Sequence, residues 1–216
     1  MSGEGAYIPP HLNGVYMPCI RYLLALLLLI TIANLYSITR IVDITGSGQY
    51  TSIQTAITAC AIGDTVLVYP GRYSERVFIQ TNGISLISLE ALSEDHSYIE
   101  STIVDGLNIN SGISVLAGTI NVRIRGFTIT QIKGQGIALL TGSNTSVINC
   151  IISNNRSTNG AGMYIAEGTA HLSGVKIFDN YALNQGGGMY IYGYMGTVNV
   201  TFDPINRCSI YNNRAG

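Results

Sequence analysis

Four segments of the chain repeat one alternation of apolar and polar positions. They are GFTITQIKGQGIALL from Gly126, NCIISNNRSTNGAGMYI from Asn149, GVKIFDNYALNQGGGMYI from Gly174 and RCSIYNNRAG from Arg207. Aligned, they place Ile129, Ile152, Ile177 and Ile210 in one column, and Phe127, Cys150, Val175 and Cys208 in another two residues earlier. Thr128, Ile151, Lys176 and Ser209 fall between. A period of two predicts that each unit opens with a strand. A second strand puts Ile137 and Leu139, Met163 and Ile165, and Met189 and Ile191 on one side, with Ala138, Tyr164 and Tyr190 on the other. A third strand runs through Val147 and Leu172.

Three short strands in a unit of roughly 25 residues cannot bury an apolar face alone, so the units must stack, each rung about 4.8 Å above the last. The expected fold is therefore all-β, a solenoid of parallel strands whose aliphatic columns run along one axis. Asn155, Asn180 and Asn213 share a column, where side-chain amides can bond along the stack and tolerate left-handed backbone at a corner. The glycines before Ile137, Met163 and Met189 are expected at another sharp corner.

The segment before the repeats reads differently. From Ser52 the positions Ile53, Ala56, Ile57, Cys60 and Ala61 form one stripe of a short helix, with Thr51 or Ser52 as N-cap and Gly63 ending it. No other segment of the exported part reads as a helix. TVLVY, ERVFI and ISLISL read as strands and PGRY as a turn. The loop GSGQYT lacks the third glycine and the βαβ setting of a phosphate cradle.

Composition narrows the partners. Only 11% of the 216 residues are charged, and 11 Lys+Arg face 12 Asp+Glu, so no basic stripe for nucleic acid is evident. Asn, Ser, Thr and 25 Gly supply the polarity instead. Arg21 followed by the apolar run Tyr22 to Leu35 predicts a secretory signal, with Met17 as an alternative start. An uncleaved anchor fits less well, because Asn34 and Arg40 interrupt the run. The expected organisation is a signal peptide over 1–37, an N-terminal cap over 38–64 and coils over 65–216. The location expected is secreted or cell-surface. Cys150 and Cys208 lie two rungs apart with Val175 between, so their Cα atoms should stand roughly 10 Å from each other, too far for a disulfide.

The pattern resembles the right-handed parallel β-helix repeat of the pectin-lyase-like superfamily, from about Ile41 onward. The block GSGQYTSIQTAITACAIGDTVLVYPGRYSE and the run TIVDGLNINSGISVLAGTINVRIRGFTIT carry the resemblance. Gly71, Tyr73 and Glu75 match a Gly-x-Tyr-x-Glu motif that follows the first strand in pectinesterases. In that family these residues are not the ones credited with catalysis. The pectinesterase motifs similar to QDT, DFIFG and GRPW are absent. Pectate-lyase-like chemistry would imply Ca²⁺, for which the best acidic cluster is Glu94, Asp95, Glu100 and Asp105; a solvated loop is the plainer account, and no metal or other cofactor is expected otherwise. Asp179 and Asp203 are candidates for a hydrolase pair, with an asparagine-like corner role as the plainer account of Asp179. His96 and His171 are expected to face solvent.

Tyr164 and Tyr190 in one outward column, and Phe178 and Tyr211 in another, are the candidate residues for stacking against a sugar, although ladders of this kind also simply pack. Two functions follow as expectations. One is an exported, non-catalytic scaffold or adhesin-like protein that binds polysaccharide or a cell-surface glycan. The other is a polysaccharide lyase or hydrolase whose catalytic residues lie outside this chain or go unrecognised in it. CSIYNNRAG stops where the next GGGMYI is due, so the chain is expected to be the amino-terminal piece of a longer protein or a truncated one, with either a catalytic face or an outer-membrane anchor beyond Gly216.

Overall fold

A computed structural model describes residues 37–106 and 111–216, together with Tyr22; apart from Tyr22 and Ser37, the predicted signal segment lies outside the described residues. The contacts divide the chain into Met1–Tyr36 and Ser37–Gly216, and every element below belongs to the second unit.

All strand pairings in that unit are parallel. Sheet A has seven strands, from Thr39–Val42 through Val122–Arg125, Asn144–Ile148 and Thr169–Ser173 to Asn199–Phe202. Sheet B has six, including Thr128–Thr130, Ile151–Ser153, Lys176–Phe178 and Ser209–Tyr211. Sheet C has five, ending in Gln135–Leu139, Met163–Ala166 and Met189–Tyr192. The chain visits A, B and C in turn and returns to A one rung further on, which makes it a parallel β-helix, right-handed as parallel crossovers are. Ile129, Ile152, Ile177 and Ile210 stand in register down sheet B, and Val147 and Leu172 down sheet A. The first three isoleucines are buried in one continuous core with Phe127, Cys150 and Val175. The period of two in the sequence is thus the in-and-out alternation of each strand.

The corners depart from expectation in three ways. A fourth, three-stranded sheet D forms from Arg156–Asn159, Tyr181–Gln185 and Arg214–Ala215, within what the sequence suggested was turn. Its residues are mostly polar, so no apolar alternation announces it. Left-handed backbone falls one position before the predicted asparagines, on Asn154, Asp179 and Asn212, with φ of 56°, 54° and 54°. That bend turns Asn155 and Asn180 inward, where both are buried. The glycines before Met163 and its equivalents do not have positive φ. A Cβ on Gly162 would lie 2.7 Å from Ile177 Cγ2 and would strike the carbonyl of Gly188, so close approach between rungs, not a special backbone angle, selects glycine there.

The helix over Ile53–Thr58 has Ser52 as its N-cap, whose side chain accepts from Thr55 N, and buries Ile53, Ala56 and Ile57 against the core. It ends before Ala61, which is exposed. Two further helices, Glu90–Ser93 and Ser97–Ser101, occupy the segment expected to be an acidic loop. Their short length and single buried residue each leave no periodic stripe to detect. PGRY is likewise not only a turn, since Gly71–Tyr73 is a strand of sheet B.

Candidate functional site

The Gly-x-Tyr-x-Glu motif is architectural in this chain. Glu75 accepts from Ser52 Oγ at 2.7 Å, Ile53 N at 2.8 Å and Gln54 N at 2.9 Å, and so caps the first helix. Tyr73 is buried and donates to Tyr69 O at 2.9 Å; burial pushes its phenol up to about 12.

Most carboxylates are similarly engaged. Glu90 is fully buried at the corner between sheets A and B, where Arg125 Nε donates to Oε2 at 2.8 Å and Asn149 Nδ2 to Oε1 at 2.6 Å. His96 stands 3.8 Å away with its side chain largely exposed, beside a 150 Å³ cavity also lined by Glu100, Lys176 and Arg207. With both oxygens filled, Glu90 acts as a clamp that ties the second helix to sheet A. Asp105 is buried and ion-paired with Arg72. Glu94 ends the second helix in left-handed backbone, and Asp95 accepts from Ser97 N at 2.9 Å. The four acidic residues considered for calcium therefore divide between a buried ion pair and separate exposed positions. Among the described residues, no group of three His, Cys, Asp or Glu is placed to hold a metal ion.

Asp179 and Asp203 lie at opposite ends of the sheet B strands. Asp179 takes the left-handed corner position. Asp203 accepts from Ile205 N at 2.8 Å, Ser173 Oγ at 2.9 Å and Asn206 N at 3.2 Å, and these donors hold its carboxyl below the usual range. It organises the excursion between sheets A and B. Glu167 does the same for the loop after sheet C: Met195, Tyr194 and Gly196 N–H groups all donate to Oε1 and lower its pKa. His171 is exposed, with Nδ1 2.6 Å from Thr201 Oγ1.

The four aromatic residues singled out in the sequence come together as two pairs. Tyr164 and Tyr190 are in register on the outer face of sheet C, with centroids 5.7 Å apart and planes at 27°. Tyr190 also stacks on Tyr192 at 6.3 Å. Phe178 and Tyr211 are in register on sheet B, 5.1 Å apart and nearly coplanar in orientation at 6°. These separations exceed face-to-face contact, so the rings are offset and slanted along the axis. Tyr192 and Tyr211 are exposed, and Tyr164, Phe178 and Tyr190 are half-buried.

No family model and no curated protein matches the chain. Solved structures similar to it include a pectin methylesterase in complex with a hexasaccharide, at 12% identity and a TM-score of 0.49, over 77% of this chain and 67% of that one. Pectin methylesterase PemA from Erwinia chrysanthemi matches at 10% and 0.41, over 75% and 60%. A deglycosylated pectin methylesterase from Aspergillus niger matches at 12% and 0.42, over 82% and 85%. The fold is a parallel β-helix. It rests here on the parallel A, B and C ladders of this chain. Among the described residues, no helix is long and apolar enough to cross a membrane.

Proposed function

We propose that this protein is an exported, non-catalytic β-helix that binds polysaccharide along its outer faces. The carrying observation is the repetition of outward aromatic rings on successive rungs, Tyr164 over Tyr190 and Phe178 over Tyr211. A linear glycan laid parallel to the axis meets apolar edges and hydroxyl partners at a regular pitch, without needing a deep pocket. The carboxylates support binding over turnover. Glu75, Glu90, Asp105, Glu167 and Asp203 are engaged as caps, clamps and loop holders, which commits these five to the architecture. Binding on these faces needs no metal cofactor.

The test is affinity electrophoresis of the full chain in gels containing neutral and acidic polysaccharides, with parallel assays for reducing ends, unsaturated products and released methanol. Retardation by at least one polymer is expected, reduced in Tyr164→Ala/Tyr190→Ala and unchanged by EDTA. Product release that disappears in a carboxylate variant would overturn the non-catalytic reading, and migration independent of every polymer would overturn binding.

A further inference from the structure

Sheet D carries a column that the overall charge balance hides. Arg156, Tyr181 and Arg214 are in register on its three strands. Lys133 occupies the equivalent place one rung earlier, because Arg156 N donates to the carbonyl of Ile132, its neighbour in the chain. The four residues therefore stand one per rung, spanning roughly 14 Å at three rung spacings. All are exposed.

Like charges on adjacent strands repel, so Lys133 beside Arg156 costs stability unless something offsets it. Among the described residues no ion pair does so: those present involve Arg40, Arg72, His96 and Arg125, and none involves Lys133, Arg156 or Arg214. Arg156 is held over the Tyr181 ring, 5.0 Å from its centroid, which fixes its direction and leaves its N–H groups for an external acceptor. Lys133 and Arg156 line one open cavity of 590 Å³ with Gln135 and Ser157. Arg214 and Tyr181 line a second, of 450 Å³, in which Asp179 is the one carboxylate. The aromatic pair Phe178 and Tyr211 precedes Tyr181 and Arg214 by three residues on the same two rungs.

We infer that the column Lys133, Arg156, Tyr181 and Arg214 is a track that binds the anionic groups of a linear carboxylated or sulfated glycan. The inference rests on the glycan-binding reading and adds the class of ligand and a separate set of contacts. Arg156 and Arg214, two rungs and so about 10 Å apart, would each take one anionic group, with Tyr181 packed against the sugar between them.

The test compares binding of the full chain to immobilised heparin, alginate and neutral dextran over a range of salt. The variants are Arg156→Gln/Arg214→Gln, Tyr164→Ala/Tyr190→Ala and the charge control Arg123→Gln on sheet A. The track predicts salt-sensitive binding to heparin or alginate; because heparin carries uronate carboxylates as well as sulfates, binding of alginate assigns carboxylate and binding of heparin without alginate assigns sulfate. It also predicts that the arginine pair loses at least about tenfold in affinity for that polymer while the control is unchanged. An arginine pair that binds like the control, or tighter binding of a single-stranded oligonucleotide than of either anionic glycan, overturns the track. Loss of dextran binding in the tyrosine variant leaves the glycan-binding reading standing when the track fails. Far-ultraviolet circular dichroism of each variant separates lost binding from lost fold.

Discussion

The side-chain amide of Asn155 donates to Oδ1 of Asn180 at 3.0 Å, one rung away, and Asn180 in turn donates to Oδ1 of Asn213 at 2.9 Å. Each amide also closes the corner of the preceding rung, as Asn180 Nδ2 does on Ile152 O at 2.9 Å. Substituting Asn180 by Ala strands the buried Asn155 N–H, removes the amide's bonds to Ile152 O and Asn213 Oδ1, and is expected to cost about 3 kcal/mol in urea unfolding. Asn184→Ala, at an exposed position of sheet D, is the comparison and should stay within about 0.5 kcal/mol of the parent. Equal stability of the two variants would show that the ladder is incidental.

Gly162→Ala tests the close approach of rungs. The added methyl meets Ile177 and the Gly188 backbone, and neither is the free end of a flexible side chain. The expected loss is about 2 kcal/mol or more, seen as a lower melting temperature. Gly118→Ala has open space around its Cβ and pays only for its φ of 73°, about 1 kcal/mol. The ranking of the two separates steric contact from backbone conformation.

Glu75→Ala removes three hydrogen bonds from the start of the first helix at once. An expected loss of about 2 kcal/mol should appear in equilibrium unfolding, with earlier proteolytic cleavage around residues 50–60.

The Glu167 carboxylate holds the loop of Tyr194, Met195 and Gly196 in its ionised form. Its folded pKa is lowered, so the contribution is complete above the ordinary glutamate value, near pH 4.3, and is lost as pH falls through the lower folded value. Protection of these three amides, measured relative to their intrinsic exchange rates, should hold down to about pH 4 and fall below it. In Glu167→Ala the protection should be absent at neutral pH as well.

Cys60, Cys150 and Cys208 are free thiols. In denaturant all three should react with a thiol reagent. In the native protein Cys150 should stay silent, because burial removes access and pushes its thiol up to about 12. Prompt native labelling of Cys150 would contradict the core packing.

How much was legible depended on whether a residue's role repeats. The columns of Ile152 and Ile177, the asparagine ladder and the outward tyrosines recur about every 25 residues, and equivalent positions in a solenoid have equivalent neighbours, so alignment of the chain with itself was enough to read them. The helices over 90–93 and 97–101 occur once and are too short for a periodic signal. Sheet D repeats, but its polar letters are shared with turns.

The sequence alone determined the rung, its inward aliphatic columns and its aromatic outer columns, because alternation along a strand is a local property. Tertiary structure decided what lies between distant segments: that Glu90 is clamped by Arg125 and Asn149, and that Glu75 caps a helix more than twenty residues earlier. It also decided that Lys133, Arg156 and Arg214 line up on one face of a nearly neutral chain. Charges and hydrogen bonds act through space, and only the stacking of the coils sets which of them meet.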